Sequence, residues 1–435
     1  MVHEYTQLKN ARFMGLSTLP SSKVAHKLCN VVTDHILKHE SRVRARRAKD
    51  QANFEHAVGL IMGDLLAAAV SDEAGWAYRS VSKKSFTDSN IKGDTFNTIM
   101  DSLGALGYLD KVLGGNLKSI FATGPSNSFN PGMATRFKAT KALLSVCQDS
   151  GFELAAIKKH FKRRPSLQEI RLKGTSSRVQ RVKISAKPMR FEQTDVTRAI
   201  RDRLLAANTF LVDQSYEGME FYGLRRIFNE GDHASFNWNL GGRLYGVGED
   251  NYQMLKKAKR LDIKINGEAV VELDINASYL RILHGLRRYP LPPLKDIYAI
   301  KGGVDRALIK AWVSSTLGHT SFHRSWSPGV MSELKKAGVR VGRDASYPNL
   351  QPKVLAHFPV LSDWPEGKVR WSHLMYEEAE AMMSTMESLR LEGVVALPVH
   401  DSLIVPKSKG PLAERVMRET FESRFDARFV VSGLK

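Results

Sequence analysis

Two short apolar segments in the second half of the chain each end in an aspartate, and they limit the fold more than any other feature. In AVVELDI (269–275) the β-branched residues predict a strand that stops at Asp274. The preceding LDIKING (261–267) predicts a second strand, joined to the first through Asn266-Gly267, the dipeptide that supplies left-handed residues to a two-residue hairpin turn. In VVALPVHDSLIVP (394–406), His400 and Asp401 occupy the bend between strands expected at 394–399 and 403–405. Helical spacing over 278–286, 304–317 and 372–391 surrounds these strands. The half of the chain from 191 onward therefore reads as α+β, with an antiparallel sheet.

On the residues alone, two readings of Asp274 and Asp401 stay open. Taken singly, Asp274 caps the helix that follows it and Asp401 forms a turn. Taken together, carboxylates on neighbouring strands bridge two Mg²⁺ ions about 3.5–4 Å apart, an arrangement that activates a 3′-hydroxyl and stabilises a leaving pyrophosphate.

Charge selects the partner. The 435 residues hold 65 Lys+Arg against 45 Asp+Glu, a net +20 that favours a polyanion, most commonly nucleic acid. Between 158 and 190 twelve cations face Glu169 alone, a local +11. Within it Lys158, Lys159, Lys162, Arg163, Arg164, Arg178, Arg181 and Lys183 are candidate phosphate contacts, the alternative being a solvated surface. A shorter basic run, Arg42 to Lys49, precedes a helix expected over 56–70. Two cysteines, Cys29 and Cys147, exclude a disulfide framework or a Cys-based zinc site and fit a reducing compartment. The longest apolar stretch, 58–70, contains Asp64 and falls short of the about 20 residues a membrane span needs. A cytoplasmic, nucleoid-associated protein without a membrane partner is expected.

The N-terminal third predicts a helix over 56–70, a strand at 76–81, a helix over 94–106 stopped by Gly107, and then strands at 108–113 and 117–122 around Gly114-Gly115. This order, and the passage IMDSLGALGYLDKVLGG, resemble the recognition-helix-to-wing region of winged-helix proteins, with a generic helical domain as the alternative. Three regions follow: a helical, winged-helix-like DNA-binding region (1–155), a basic connector (156–190) and an α+β region (191–435). Upstream of the strands, Gly241-Gly242-Arg243 offers a close backbone approach and a bidentate cation for a phosphate, or else a plain turn with a surface arginine.

Asp274-Ile-Asn-Ala-Ser-Tyr279-Leu280-Arg281 resembles motif A of the family A nucleic-acid polymerases, where Leu-Arg follows a metal-binding aspartate by six and seven residues. Val399-His400-Asp401 resembles their motif C, and Arg306 with Lys310, at i and i+4, resembles the cations of their fingers helix. The resemblance spans about 208–435. It implies a polymerase palm with reduced helical fingers. Asp274, Asp401 and the Ile275 carbonyl would hold two Mg²⁺ ions, Lys310 and Arg306 the triphosphate, and His400 the primer end. Arg281 and Arg243 would contact substrate, and the bulk of Tyr279 would exclude a 2′-hydroxyl. The sequence departs from the family at Ser402, Gly318 and Ser314, where DNA polymerases carry Glu, Tyr and Phe, so base stacking would fall to Trp312 or His319. The implied function is primer extension by a DNA polymerase of a phage, plasmid or integrated element. Its partners would be template-primer DNA, nucleoside triphosphates and replication accessory proteins. A primase or RNA polymerase with the same palm, or a non-catalytic replication initiator, are the alternatives.

Overall fold

Residues 58–68 are apolar around the whole helix circumference except at Asp64, and a helix of that kind has to be buried on all sides. It is: every one of these residues in α2 (Ala48–Ala69) is buried. The structure is a computed structural model describing residues 7–40, 42, 44–71, 74–86, 89–114, 133–164, 170–179, 182–248, 251–293, 296–300, 303–364 and 367–434. Helix α2 begins well before residue 56 because its first two turns are polar and mostly exposed, so no apolar period marks them.

Around α2 stand α1 (Lys23–His39), α3 (Gly93–Ala105) and α4 (Lys141–Asp149), with a sheet of β1 (Arg12–Phe13), β3 (Trp76–Arg79), β4 (Leu109–Val112) and β5 (Thr135–Ala139) in the order β1-β3-β5-β4. The expected hairpin around Gly114-Gly115 falls largely outside the described residues. Strand β4 pairs antiparallel with β5, Leu109 opposite Ala139 and Val112 opposite Arg136, while 117–122 lies outside the described residues. One core, including Leu60, Ile61, Phe96, Ile99 and Phe137, unites these elements.

The basic segment 156–190 is shared between two units. Strand β6 (Phe161–Arg163) pairs with β2 (Thr18–Pro20) of the N-terminal unit. Strands β7 (Ile170–Lys173) and β10 (Pro188–Met189) join β12 (Leu224–Phe228) and β13 (Gly241–Gly246) in the order β10-β7-β12-β13, with β8 (Ser177–Val179) and β9 (Val182–Ile184) as a separate hairpin.

A six-stranded sheet runs β11 (Tyr216–Glu217), β14 (Lys264–Ile265), β15 (Glu268–Ile275), β17 (Ser402–Pro406), β16 (Leu397–Val399), and β18 (Val431–Leu434) also pairs with β15. Strands β14 and β15 meet at Asn266 and Gly267, which have φ of 53° and 82°, as a primed two-residue turn requires. Helices α5 (Asp195–Val212), α6 (Ser278–Leu286), α7 (Arg306–Leu317), α8 (Pro328–Lys336), α9 (Tyr347–His357), α10 (Trp371–Leu391) and α11 (Gly410–Phe425) complete an α+β unit with its own core. Helix α10 packs against β13, α6 and α11. Among the described residues no helix is long and apolar enough to cross a membrane.

Candidate active site

Asp274 is the seventh residue of β15 and pairs with Ser402 of β17. The Ile275 N–H donates to the Asp401 carbonyl at 3.1 Å, which sets the two aspartates side by side at the ends of adjacent strands. The capping alternative for Asp274 fails: the N-cap of α6 is Ala277, at φ 55°, with no side-chain cap. Val399 pairs with Ser402, so His400 and Asp401 are the two residues of a tight turn, and His400 takes the left-handed φ of 60° that such a turn needs.

Both aspartates line an open cleft of about 320 Å³ with Arg243, Tyr279, Lys310 and Glu378. Burial, then the neighbouring Asp401 charge, pushes the Asp274 carboxyl up to about 6, with Lys310 acting in the opposite sense. Burial, then Glu378, likewise pushes Asp401 up to about 6. Two carboxylates that resist ionising beside each other form a site that gains from an added cation.

Helix α7 supplies the opposite wall. Arg306, Lys310 and Ser314, spaced by four, share one helix face and line the cleft. Arg306 is bonded through Nε to Asp296, whereas Lys310 makes no ion pair among the described residues. The other face, with Leu308, Ile309, Trp312 and Val313, is buried in the core. Trp312 is therefore not available for base stacking. Its ring lies on Tyr347 at 5.0 Å and its Nε1 donates to the Tyr347 carbonyl at 3.0 Å. His319, just beyond the helix, packs against His323.

Arg243 lies in the cleft and not on the outer surface. Its Nη2 donates to Glu378 Oε1 at 2.6 Å and to the Tyr279 hydroxyl at 2.9 Å. The preceding glycine pair serves the sheet rather than a phosphate: both residues have positive φ, and a Cβ on Gly241 would stand 2.5 Å from Asn229 Nδ2. Tyr279 is largely buried against the core while its edge lines the cleft. Arg281 is a correction. It is buried, its Nε donates to the Asn276 carbonyl and its Nη1 to the Arg428 carbonyl, and it does not line the cleft. His400 is exposed at the turn, 6.2 Å from the Tyr245 ring and outside the cleft lining.

Glu378 escaped the sequence reading. It is 2% exposed, and its Oε2 accepts from the Ser278 hydroxyl at 2.7 Å, so it ties Arg243 to the first turn of α6. Its signal was an acid three residues after Met375 and four before Met382, inside an apolar helix column.

The basic candidates separate. Lys158, Lys159, Lys162 and Arg164 are exposed. Arg163 is turned inward and is no phosphate contact: its Nη1 donates to the Phe221 carbonyl at 2.6 Å, its Nη2 to Glu220 at 2.8 Å, and its guanidinium lies over Tyr222. Arg178 and Lys183 lie on β8 and β9, and Arg181 is outside the described residues.

No family model matches the chain, and no curated protein matches it. Among solved structures it is similar to the POL domain of Pol1 from M. smegmatis in a complex with DNA primer-template and dNTP, at 15% identity and a TM-score of 0.29. That match covers 44% of this chain and 45% of the other, so less than half of either.

Proposed function

We propose that the chain is a template-dependent nucleotidyltransferase that extends a DNA primer with deoxynucleoside triphosphates. One observation carries this: Asp274 and Asp401 stand side by side at strand ends, facing Lys310 and Arg306 across a single cleft. The donor set suits Mg²⁺, which binds through one or two carboxylates plus substrate phosphates and keeps several waters. Among the described residues no group of three or more His, Cys, Asp or Glu could hold a metal, so a fully protein-built cage is not what this site offers. Asp274, Asp401 and the Ile275 carbonyl would hold the ions, which when bound make the primer 3′-hydroxyl a better nucleophile and stabilise charge on the leaving pyrophosphate.

The protein's own groups then do the positioning. Lys310 offers its free ammonium to the triphosphate, and Arg306 joins it by leaving Asp296. Glu378 fixes the Arg243 guanidinium, which holds the Tyr279 hydroxyl, so the ring is anchored where a 2′-hydroxyl would have to fit. His400, next to Asp401 in the turn, would meet the primer end. The N-terminal order of helix, strand, helix and paired strands supports a winged-helix reading of that unit as a duplex-binding module, and exposed Lys158, Lys159, Lys162 and Arg164 would add phosphate contacts. A replication role on a phage, plasmid or integrated element is the context such a fusion suggests.

Primer extension by Asp274→Asn and Asp401→Asn tests the reading. Each variant should lose nucleotide incorporation to background while keeping DNA affinity, since an amide supplies geometry without charge. Incorporation at the wild-type rate in both would refute the proposal.

A further inference from the structure

A second cavity, of about 690 Å³, lies in the N-terminal unit between the 42–47 segment and the first turns of α2 and α3. Arg42, Arg44 and Arg47 from that segment, His56 from α2 and Lys92 from the start of α3 are among the residues that line it. Arg42, Arg44, Arg47 and Lys92 make no ion pair among the described residues. Of the two acids at the rim, Asp94 is paired with Lys83 at 2.9 Å, leaving Asp50 as the acid without a partner there. Four unpaired cations thus face one unpaired carboxylate.

Arg46 differs from its neighbours. It too lines the cavity, but it is bonded to Glu40 at 2.6 Å and lies 3.8 Å above the Phe54 ring, so it anchors the segment. Both helices open onto the cavity without a side-chain cap, since neither Arg47 nor Lys92 at the N-cap positions accepts a hydrogen bond. Their first-turn N–H groups add partial positive charge to the cations already present. Burial, then the Arg164 charge, lowers the His56 pKa, so His56 adds no strong positive charge of its own.

We propose that this cavity binds the phosphodiester backbone of a nucleic-acid strand. The lining favours a backbone over a base or a single nucleotide. The Phe54 ring is buried, with Arg46 over one face, and offers no stacking surface. The cations come from two separate parts of the chain, the 42–47 segment and the start of α3, as suits a charged chain passing between them. The cavity therefore contacts phosphates without reading sequence. This inference does not rest on the polymerase reading.

Fluorescence anisotropy of full-length protein with two labelled duplexes of unrelated sequence, over a salt series, tests it. The triple variant Arg42→Gln, Arg44→Gln, Arg47→Gln should weaken binding to both duplexes alike and flatten the slope of log K against log salt by about 0.9 for each phosphate contact removed. Lys92→Gln, at the start of α3, should flatten it by about 0.9 alone, which keeps the proposal testable if the triple variant unfolds. An unchanged slope in Lys92→Gln and in a folded triple variant would overturn the proposal, as would weakening confined to one duplex. Displacement of DNA by tripolyphosphate at equal phosphate concentration would also overturn it, by assigning the cavity to a small anion. Because the readout is binding, Asp274→Asn serves as background: its loss of turnover bears on the cleft and leaves this result unaffected.

Discussion

Asp64 and Asp274 are both aspartates set among apolar residues, and burial is the main cause that raises the pKa of each. Asp64 is spent on its surroundings: in the middle of α2, its carboxyl accepts the Leu16 N–H at 2.6 Å, and it lines neither the active-site cleft nor the N-terminal cavity. Asp274 makes no side-chain hydrogen bond among the described residues, stands next to a second carboxylate, and faces Lys310 across a cleft. A half-buried acid therefore marks a candidate site when its lone pairs are left unused and the opposing wall carries an unpaired cation. Burial alone marks an architectural carboxylate.

The opposing wall gives the largest effect by which this contrast can be tested. Lys310→Ala should lower kcat/KM for the incoming triphosphate by about 10²–10³-fold, the loss of one preorganised charged contact. Arg306→Ala should cost less, because Arg306 must first give up Asp296. Steady-state kinetics of single-nucleotide addition measure both. Equal, small effects would mean that the α7 face does not meet the substrate and that the cleft's acids resemble Asp64 after all.

Much of the cleft was legible because it depends on local rules. Asn266-Gly267 announces its hairpin, the His400-Asp401 bend follows from the two apolar runs, and the i, i+4 spacing puts Arg306 and Lys310 on one face. What was not legible depends on rotation and on distant partners. At about 100° per residue, two positions along a helix turn a side chain to the other side. So Arg281 leaves the cleft that Tyr279 lines, and Trp312 enters the core while Lys310 stays outside it. Arg163 follows the strand period of two: Phe161 and Arg163 point inward and Lys162 outward, but three residues are too few to show alternation in a basic run. Strand β5 was missed because its pairing with β4 joins residues distant in sequence, such as Val112 and Arg136, and Glu378 because its arginine lies 135 residues away in sequence.

A smaller effect sharpens the role of the Arg243–Tyr279 pair. Tyr279→Ala should raise incorporation of ribonucleotides relative to deoxynucleotides by a factor equivalent to about 1–3 kcal/mol. Tyr279→Phe keeps the ring but loses the 2.9 Å bond from Arg243, so it should retain most of the discrimination. Competition assays with both sugars separate the cases. If wild type prefers ribonucleotides, or if Phe and Ala behave alike, ring bulk is not the gate and the primase alternative gains.

The smallest expected effect concerns Asp64 and is read as stability. Its pKa is raised in the folded state, mainly by burial, which means the folded protein holds this proton more tightly than the unfolded chain does. The stabilisation is complete below the unfolded pKa, near 3.9, and is lost as pH rises toward the folded value. While the group titrates in one state only, the slope is at most about 1.4 kcal/mol per pH unit. Asp64→Asn removes the titration and keeps an oxygen for the Leu16 N–H. The stability of wild type relative to the variant should therefore be greatest at low pH and fall as pH rises. Urea unfolding at several pH values between 4 and 8 measures the difference, and subtracting the two curves cancels the contributions of Asp274 and Asp401. Parallel curves would show that Asp64 holds its proton no more tightly in the folded state. The contrast with Asp274 would then rest on hydrogen bonding alone.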